Sequence, residues 1–313
     1  MQKVLITDSL FIFPEHEEKM RAAGLEVERL NKLQATEDEL IAALQGKNGY
    51  ILGGIEEVTD KVIAAANDLR VIAFTGADWA AHIPGHETAT KKGIVITNTP
   101  GNTTFAVAEF AITLMLMMLR RVMELGGPGK ADFITCPSLA DVRIGVVGMG
   151  RIGERVTRLL LALGAKEVSY YNRTRKPQLE SELGITYRDL NELLGTCNVI
   201  TNHVSTQAGQ IFSRDVITHF QPETLFVNAA SHLAVDMDAL YEAITNRGVR
   251  AAFDIGGGVH DERFQKLPLS QWYASNQNTG FNTHTALQLA SDMTTDSVIN
   301  ILSGHDDPYI ANR

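Results

Sequence analysis

The stretch Val142–Gly153, with the sequence VRIGVVGMGRIG, decides how the rest of this chain is interpreted. It begins as a short apolar strand and runs into Gly148, Gly150 and Gly153, which have the G-x-G-x-x-G spacing. The first glycine allows a tight turn, the second lets a pyrophosphate approach the backbone, and the third lets the next helix pack closely on the strand. The free N–H groups and the positive dipole end of that helix would bind the phosphates.

The residues around this motif favour a dinucleotide site over a purely structural strand–turn–helix unit. An amphipathic helix pattern follows the glycines, and a second strand, Val168–Tyr171, follows the helix. The motif alone would be weak evidence, but this order of elements is the one that dinucleotide binding requires. We therefore expect the start of the helix, Arg151 and Ile152, to lie at the cofactor together with the three glycines.

Length and composition set the class of protein. The chain has 313 residues, which predicts two domains, and 44% of them are hydrophobic. A net charge of −9 without a basic cluster argues against a nucleic-acid partner. Cys136 and Cys197 are far apart and have no metal-ligand spacing, so we expect no metal and a reducing, cytoplasmic setting. Met1–Lys3 leads directly into a strand-like segment, so no signal peptide is expected.

Strand patterns alternate with helix patterns along the chain, which predicts an α/β protein with two doubly wound parallel sheets. Strands are expected at 3–7, 25–30, 50–52, 71–74, 94–97, 142–147, 168–171, 199–201, 225–228 and 249–253. Helices are expected at 15–23, 36–44, 59–66, 86–92, 103–122, 189–194, 237–245 and 285–302. The apolar run Phe110–Leu119 is far short of the ~20 residues of a membrane span. The last helix has no strand after it, so it should pack back on the first domain.

Several motifs in order resemble the D-isomer-specific 2-hydroxyacid dehydrogenase family. Besides the glycine motif they are Asn98–Gly101 leading into Val107–Glu109, Asn202–Val204, Val227–Ala230, Val235–Asp236 and Ala251–Asp254. The resemblance implies a flavodoxin-like substrate domain built from 1–100 and 282–313, and a Rossmann nucleotide domain spanning 101–281. It also implies a cleft between the domains that holds a small-molecule substrate, and a homodimer formed through the nucleotide domain.

The resemblance also implies where ligands would bind. The expected cofactor residues are Gly148, Gly150, Arg151, Ile152, Gly153, Asn172, Arg173, Thr174, Arg175, His203, Val204, Asn228, Ala229, Ala230 and Asp254. The expected substrate-binding residues are Gly53, Gly54, Gly76, Ala77, Asp78 and Trp79, from loops that offer backbone N–H groups to a substrate. Trp79 is expected either to form an apolar pocket wall or to pack between domains.

The three side chains that carry out catalysis in this family do not match. The arginine slot after Val-Asn-x-Ala holds Ser231, the glutamate slot three residues after Asp254 holds Gly257, and the histidine slot aligns with Asn278. Serine cannot form a bidentate, charged clamp on a carboxylate. Asparagine has no proton to give near neutral pH. Ordinary 2-keto-acid reduction by the family mechanism is therefore not expected.

Two interpretations remain open. One is an oxidoreductase that transfers hydride to another carbonyl or to an imine, with Ser231, His232 and Asn278 as candidate catalytic groups. The other is a catalytically silent NADP(H)-binding protein that acts as a sensor or through partners. His232 directly follows the serine and is either an acid or anion partner or a turn histidine. His203 matches a family histidine near the cofactor, which favours a structural or cofactor-side role.

The end of the second strand predicts the cofactor. An acidic residue about 20 residues past the glycines usually binds the ribose of NAD. Here the strand ends in Asn172-Arg173-Thr174-Arg175, which lacks an acid and offers two guanidinium groups and a hydroxyl. This combination favours NADP over NAD. A basic solvated turn with mixed cofactor use is the alternative.

Overall fold

The computed structural model describes residues 1–7, 11–32, 34–126, 134–205, 208–254, 261–277 and 279–313. The chain forms two compact units, one of Met1–Asn102 with Thr283–Arg313 and one of Thr103–Asn282. Both units are built on parallel sheets, which confirms the predicted α/β class. None of the helices in the described ranges is both long enough and apolar enough to span a membrane.

The first unit contains a parallel five-stranded sheet in the order β2-β1-β3-β4-β5, which is the flavodoxin-like order. Its strands are β1 (Gln2–Thr7), β2 (Leu25–Arg29), β3 (Gly49–Leu52), β4 (Val71–Phe74) and β5 (Val95–Thr97). Every residue of β3 and β4 is buried. Along β3, Tyr50 and Leu52 belong to one apolar cluster and Ile51 to another. Both faces of the sheet are therefore covered, as in other parallel sheets.

Helices of the first unit cover these two faces. They are α1 (Pro14–Ala22), α2 (Glu37–Ala43), α3 (Asp60–Ala65), α4 (His86–Lys91) and α13 (His284–Ser303). Thr36 caps α2 through a capping box with Glu39, as its sequence suggests. The last helix, α13, packs on β3, β4 and α1 of this unit, which confirms the prediction that it returns to the first domain.

The second unit contains a parallel seven-stranded sheet in the order β12-β11-β10-β9-β6-β7-β8. Its strands are β6 (Arg143–Val147), β7 (Glu167–Tyr171), β8 (Thr186–Tyr187), β9 (Val199–Asn202), β10 (Leu225–Asn228), β11 (Arg250–Phe253) and β12 (Trp272–Ala274). Strands β7 and β8 lie on one side of β6, and strands β9 to β12 lie on the other side. The boundary between β6 and β9 is therefore the topological switch point, where ligands bind at the carboxyl ends of the strands.

The helices of the second unit are α5 (Thr104–Leu119), α6 (Val122–Leu125), α7 (Arg151–Ala162), α8 (Pro177–Leu183), α9 (Leu190–Thr196), α10 (Arg214–Ile217), α11 (Met237–Arg247) and α12 (Glu262–Gln265). The predicted helix 103–122 ends earlier, because Arg121 adopts a left-handed φ of 52° and starts α6. The sequence patterns do not predict six elements, namely β8, β12, α6, α8, α10 and α12. These elements are too short, or too polar, to give a periodic pattern.

Candidate functional site

The glycine loop lies at the switch point, between the ends of β6 and β9. Gly148 has a φ of +94°, and a Cβ there would lie 2.8 Å from the backbone of His203. A Cβ on Gly153 would lie 2.0 Å from the carbonyl oxygen of Gly148. Neither position tolerates a side chain, which agrees with the roles that the spacing predicts. A Cβ on Gly150 would meet no atom of the described residues within 4 Å, so this position faces open space.

The start of α7 supplies backbone donors beside that open space. The N-cap residue of α7 is Gly150, which has no side chain to cap the helix. The first N–H groups of the helix are therefore left for a ligand. The N–H of Gly148 is already bound to the carbonyl of Tyr171 at 2.9 Å, which holds the loop against β7. Open space beside Gly150 and uncapped donors at a positive helix end fit the pyrophosphate of a dinucleotide.

Asn172 ties the end of β7 to the glycine loop. Its Oδ1 accepts from the N–H of Met149 at 3.0 Å, and its Nδ2 donates to the carbonyl of Thr174 at 2.7 Å. Both ends of the amide are therefore engaged by backbone. At this position the side chain positions the loop and the turn that follows β7.

The two arginines after β7 differ in what holds them. Arg175 forms a bidentate ion pair with Glu180, with distances of 2.8 and 2.7 Å, and lies over the ring of Tyr187. The hydrogen bonds from Arg175 lower the pKa of the Glu180 carboxyl to about 2. The side chain of Arg173 is exposed and makes no hydrogen bond or ion pair with the rest of the described chain. Arg173 is therefore available to a ligand, whereas Arg175 would have to leave its partner.

His203 directly follows β9 and lies against Gly148. Its Nε2 lies 2.8 Å from the hydroxyl of Thr201, and its Nδ1 is buried without a hydrogen-bond partner in the described residues. Burial lowers the pKa of the imidazole from 6.5 to about 3. The ring is therefore neutral at physiological pH and has no extra proton to donate, which supports a structural or cofactor-side role.

A buried pair of amides joins the ends of β9 and β10. Asn202 and Asn228 are opposite each other in the sheet, and Nδ2 of Asn202 donates to Oδ1 of Asn228 at 2.9 Å. Each amide also holds the loop after its own strand: Asn202 accepts from the N–H of Val204, and Asn228 accepts from the N–H of Ala230. The sequence places Asn202 in a motif but does not predict this pairing, because the partner becomes evident only when the strands are in register.

Ser231 and His232 follow this pair. The Ser231 hydroxyl accepts from the N–H of Leu233 at 3.2 Å and caps a short 3-10 helix, His232–Ala234. The serine therefore has a local structural use, while its O–H proton can still be donated. His232 is half-buried in the first turn of that short helix. Ala229 and Ala230 bring no charge to this loop.

Asp254 follows β11 and holds the segment before the last helix. Its Oδ1 accepts from the Ser275 hydroxyl at 2.7 Å and from the N–H of Thr279 at 2.8 Å. Its Oδ2 accepts from the N–H of Gly280 at 2.8 Å, and a Cβ on Gly280 would lie 2.5 Å from that oxygen. The carboxylate thus anchors this segment tightly. Gly257 and Asn278, the other two divergent slots, lie outside the described residues.

The candidate substrate loops follow neighbouring strands of the first unit. Gly53 and Gly54 follow β3, and Gly76–Trp79 follows β4, so both loops lie at one edge of the sheet. The N–H of Gly53 donates to the carbonyl of Thr7 at 3.2 Å, which commits that donor to the sheet. Trp79 is half-buried against the apolar cluster beneath the loop and meets His86 edge-on, with 5.4 Å between ring centroids. These contacts support a packing role for Trp79.

A buried carboxyl group lies close to these loops. Glu56 is 1% exposed, and its Oε1 accepts from the hydroxyls of Tyr50, at 2.7 Å, and Thr7. Its Oε2 is buried without a partner among the described residues. Burial and the charge of Glu56 raise the pKa of the Tyr50 hydroxyl well above 10. In the sequence Glu56 stands beside Glu57 and looks like a surface acid, so its burial is not predicted.

Comparison with known proteins gives a consistent result. Residues 112–286 match the family model described as D-isomer specific 2-hydroxyacid dehydrogenase, NAD binding domain. A glyoxylate reductase of Thermococcus onnurineus is 28% identical, and the alignment covers 99% of this chain and 96% of that protein. A D-3-phosphoglycerate dehydrogenase of Archaeoglobus fulgidus is 31% identical over 80% of this chain, which corresponds to 47% of its own length. The crystal structure of the TT0316 protein from Thermus thermophilus is 26% identical, with a TM-score of 0.85 and coverage of 99% and 100% of the two chains.

Proposed function

Because this chain belongs to the D-isomer specific 2-hydroxyacid dehydrogenase family, we propose that it is an NADP(H)-dependent oxidoreductase with an unusual substrate. The substrate would be a carbonyl compound or an imine that lacks the carboxylate of a 2-keto acid. The oxidoreductase class and the nicotinamide cofactor follow from the family. The preference for NADP and the nature of the substrate are inferred from particular residues of this chain.

The exposed guanidinium of Arg173 carries the proposal of NADP. The turn Asn172–Arg175 has no acid to repel a 2′-phosphate, and Arg173 has no competing partner in the described chain. A guanidinium recognises a phosphate through charge-assisted, bidentate hydrogen bonds. Thr174 adds a hydroxyl, whereas Arg175 is held by Glu180. We therefore assign the 2′-phosphate contact chiefly to Arg173.

The residues around the switch point would bind and orient the cofactor. The open backbone at Gly150 and the N-terminal turn of α7 would receive the pyrophosphate. The neutral ring of His203 and the Asn202–Asn228 pair would support the loops beside the nicotinamide. A bound reduced nicotinamide supplies a hydride. The protein's own part is to exclude water from the nicotinamide and to place a hydrogen-bond donor at the carbonyl oxygen or imine nitrogen of the substrate.

The substrate class follows from the loop Ala229–Leu233. Where the family has an arginine, Ser231 offers one neutral O–H. A hydroxyl can donate to a carbonyl oxygen or to an imine nitrogen, but it cannot balance a carboxylate charge. His232 is the candidate proton donor next to it. From the relatives named glyoxylate reductase and D-3-phosphoglycerate dehydrogenase we therefore infer the type of reaction but not the substrate.

A substrate panel tests the proposal. Keto acids, neutral aldehydes and ketones, and imines would each be incubated with NADPH, and oxidation would be followed at the nicotinamide absorbance. We expect turnover of a neutral carbonyl or an imine. Tight NADPH binding without turnover of any compound would favour a catalytically silent sensor instead. Efficient turnover of glyoxylate or pyruvate would refute the assignment of Ser231.

The proposal includes a cytoplasmic homodimer formed through the second unit. Phe105, Val122 and Met123 of that unit are large apolar side chains that remain 57%, 52% and 41% exposed. Phe105 lies in the first turn of α5, and Val122 and Met123 lie in α6, just beyond the other end of α5. The residues of α5 are apolar on nearly every side. Apolar surface of this kind is typical of a subunit interface. Light scattering should give twice the mass of the 34.3 kDa chain, and Phe105→Glu should shift the mass toward the monomer.

A further inference from the structure

A cavity of about 420 Å³ lies in the second unit, on the side away from the glycine loop. Its lining includes Glu223, Arg250 and Gln271, which stand immediately before or at the start of β10, β11 and β12. All strands of this sheet are parallel, so these residues mark the amino-terminal edge, whereas the glycine loop follows the carboxyl end of β6. The volume falls within the roughly 300–1,000 Å³ of small-molecule sites.

Among the residues that the structure describes, four charged side chains line this cavity, and two of them neutralise each other. Arg121 and Glu124 form a bidentate ion pair, with Nε of the arginine 2.7 Å from Oε2 of the glutamate. A pair of this geometry leaves little net charge for a ligand. The other two described charges are Arg250 and Glu223.

Arg250 has no carboxylate partner in the described chain, and its one hydrogen bond goes to a carbonyl in the last turn of α5. Its guanidinium donates one hydrogen bond, from Nη1 to the carbonyl of Met118 at 3.0 Å, and no described carboxylate lies within 4.0 Å. Burial and the nearby charge of Arg121 lower the pKa of Arg250. A half-buried cation with unused donors is stabilised by an anion, and a carboxylate matches its planar geometry.

Glu223 supplies the opposite charge at the same cavity. Its side chain is exposed and makes no ion pair with a described residue, Arg250 included. Its charge nevertheless lies close enough to Arg250 to oppose, in part, the lowering of the Arg250 pKa by burial and by Arg121. One cation and one anion, neither of which forms an ion pair within the described chain, thus line the same cavity without touching each other.

We propose that this cavity binds a small zwitterion of the α-amino-acid class. The ligand carboxylate would meet the Arg250 guanidinium, and the ligand ammonium would meet the Glu223 carboxylate. Leu119 and Pro137 offer apolar wall to a short side chain, and Gln271 offers an amide. A simple anion would satisfy only Arg250, and a simple amine only Glu223. The site is separate from the nucleotide loop, and it does not depend on the proposed cofactor or substrate. Arg121 and Glu124 of its lining adjoin Val122 and Met123 of the proposed subunit interface, so binding is measured on the protein in its own oligomeric state.

Three matched compounds test this proposal: L-alanine, propionate, which lacks the amine, and ethylamine, which lacks the carboxylate. Binding to the full-length protein would be measured by calorimetry or by ligand-detected NMR at equal concentrations. L-alanine should bind about tenfold more tightly than either analogue, since each charge-assisted contact adds affinity. Equal binding of L-alanine and propionate, or no binding of any compound, would overturn the proposal.

Two variants assign the contacts. Arg250→Gln should abolish the advantage of L-alanine over ethylamine, and Glu223→Gln should abolish its advantage over propionate. Arg250→Lys keeps the charge and should retain part of the binding. The thermal unfolding midpoint serves as the control for folding, because it can be measured without any ligand. Retention of full L-alanine binding in Arg250→Gln, with the midpoint unchanged, would contradict the assignment.

Discussion

The substitution Arg173→Ala tests the cofactor proposal, with Arg175→Ala as its matched control. Arg173 is exposed and has no partner in the described chain, so it breaks no hydrogen bond or ion pair of that chain when it turns toward a 2′-phosphate. A hydrogen bond to a charged group is worth about 1.5–3 kcal/mol, and solvent exposure favours the lower end. We therefore expect NADPH to bind roughly tenfold to thirtyfold more weakly to Arg173→Ala, while NADH binding stays unchanged.

Arg175 should behave differently, because its guanidinium would have to leave Glu180 and the ring of Tyr187 to reach a ligand. Arg175→Ala should therefore change NADPH affinity by less than Arg173→Ala does. Nicotinamide fluorescence titrations of both cofactors, at low and at high salt, measure these effects. Salt should reduce the NADPH preference of the wild type, since the charges are exposed. Equal weakening of NADPH and NADH by Arg173→Ala, or a larger effect of Arg175→Ala, would refute this reasoning.

Three further predictions concern the loops at the strand ends. Asn202→Leu should lower the free energy of unfolding by about 1–3 kcal/mol in urea melts, because the buried Asn228 loses a donor and the half-buried N–H of Val204 loses its acceptor. An unchanged midpoint would argue against it. Asp254→Asn should accelerate amide exchange at Gly280, because the carboxylate that accepts from its N–H is lost, and an unchanged exchange rate would argue against this anchoring role. Burial lowers the pKa of His203 to about 3. Between about pH 6.5 and 3, therefore, only the unfolded chain binds the extra proton. In that range the free energy of unfolding should fall by about 1.4 kcal/mol for each unit by which the pH is lowered. Urea melts of the wild type and of His203→Gln between pH 7 and 5 measure that difference, and identical slopes would contradict it.

The parts of the fold that could be predicted from the sequence are those with a local cause. Gly148 and Gly153 are required by close backbone approaches, and their spacing alone indicates the loop. Thr36 and Glu39 form the capping box that their separation suggests. The parallel strands were evident because burial on both faces gives continuous apolar runs, as in β3 and β4.

The parts that could not be predicted depend on distant partners or on very short segments. The Asn202–Asn228 pair needs the register of two strands whose paired asparagines are 26 residues apart. Glu56 is buried because Thr7 and Tyr50 converge on it from neighbouring strands. Arg173 and Arg175 look equivalent in the sequence, and only the ion pair with Glu180 distinguishes them. The two-residue strand β8 is too short for any alternation to be read.

Ser231 is the residue on which the substrate proposal rests, so a comparison of pyruvate with methyl pyruvate tests that proposal most directly. The two compounds share the reacting carbonyl and differ in the negative charge of the carboxylate. With NADPH as the reductant, kcat/KM should be higher for methyl pyruvate, because Ser231 offers a hydrogen bond and no charge. A higher kcat/KM for pyruvate would contradict the account and would mean that another cation binds the carboxylate.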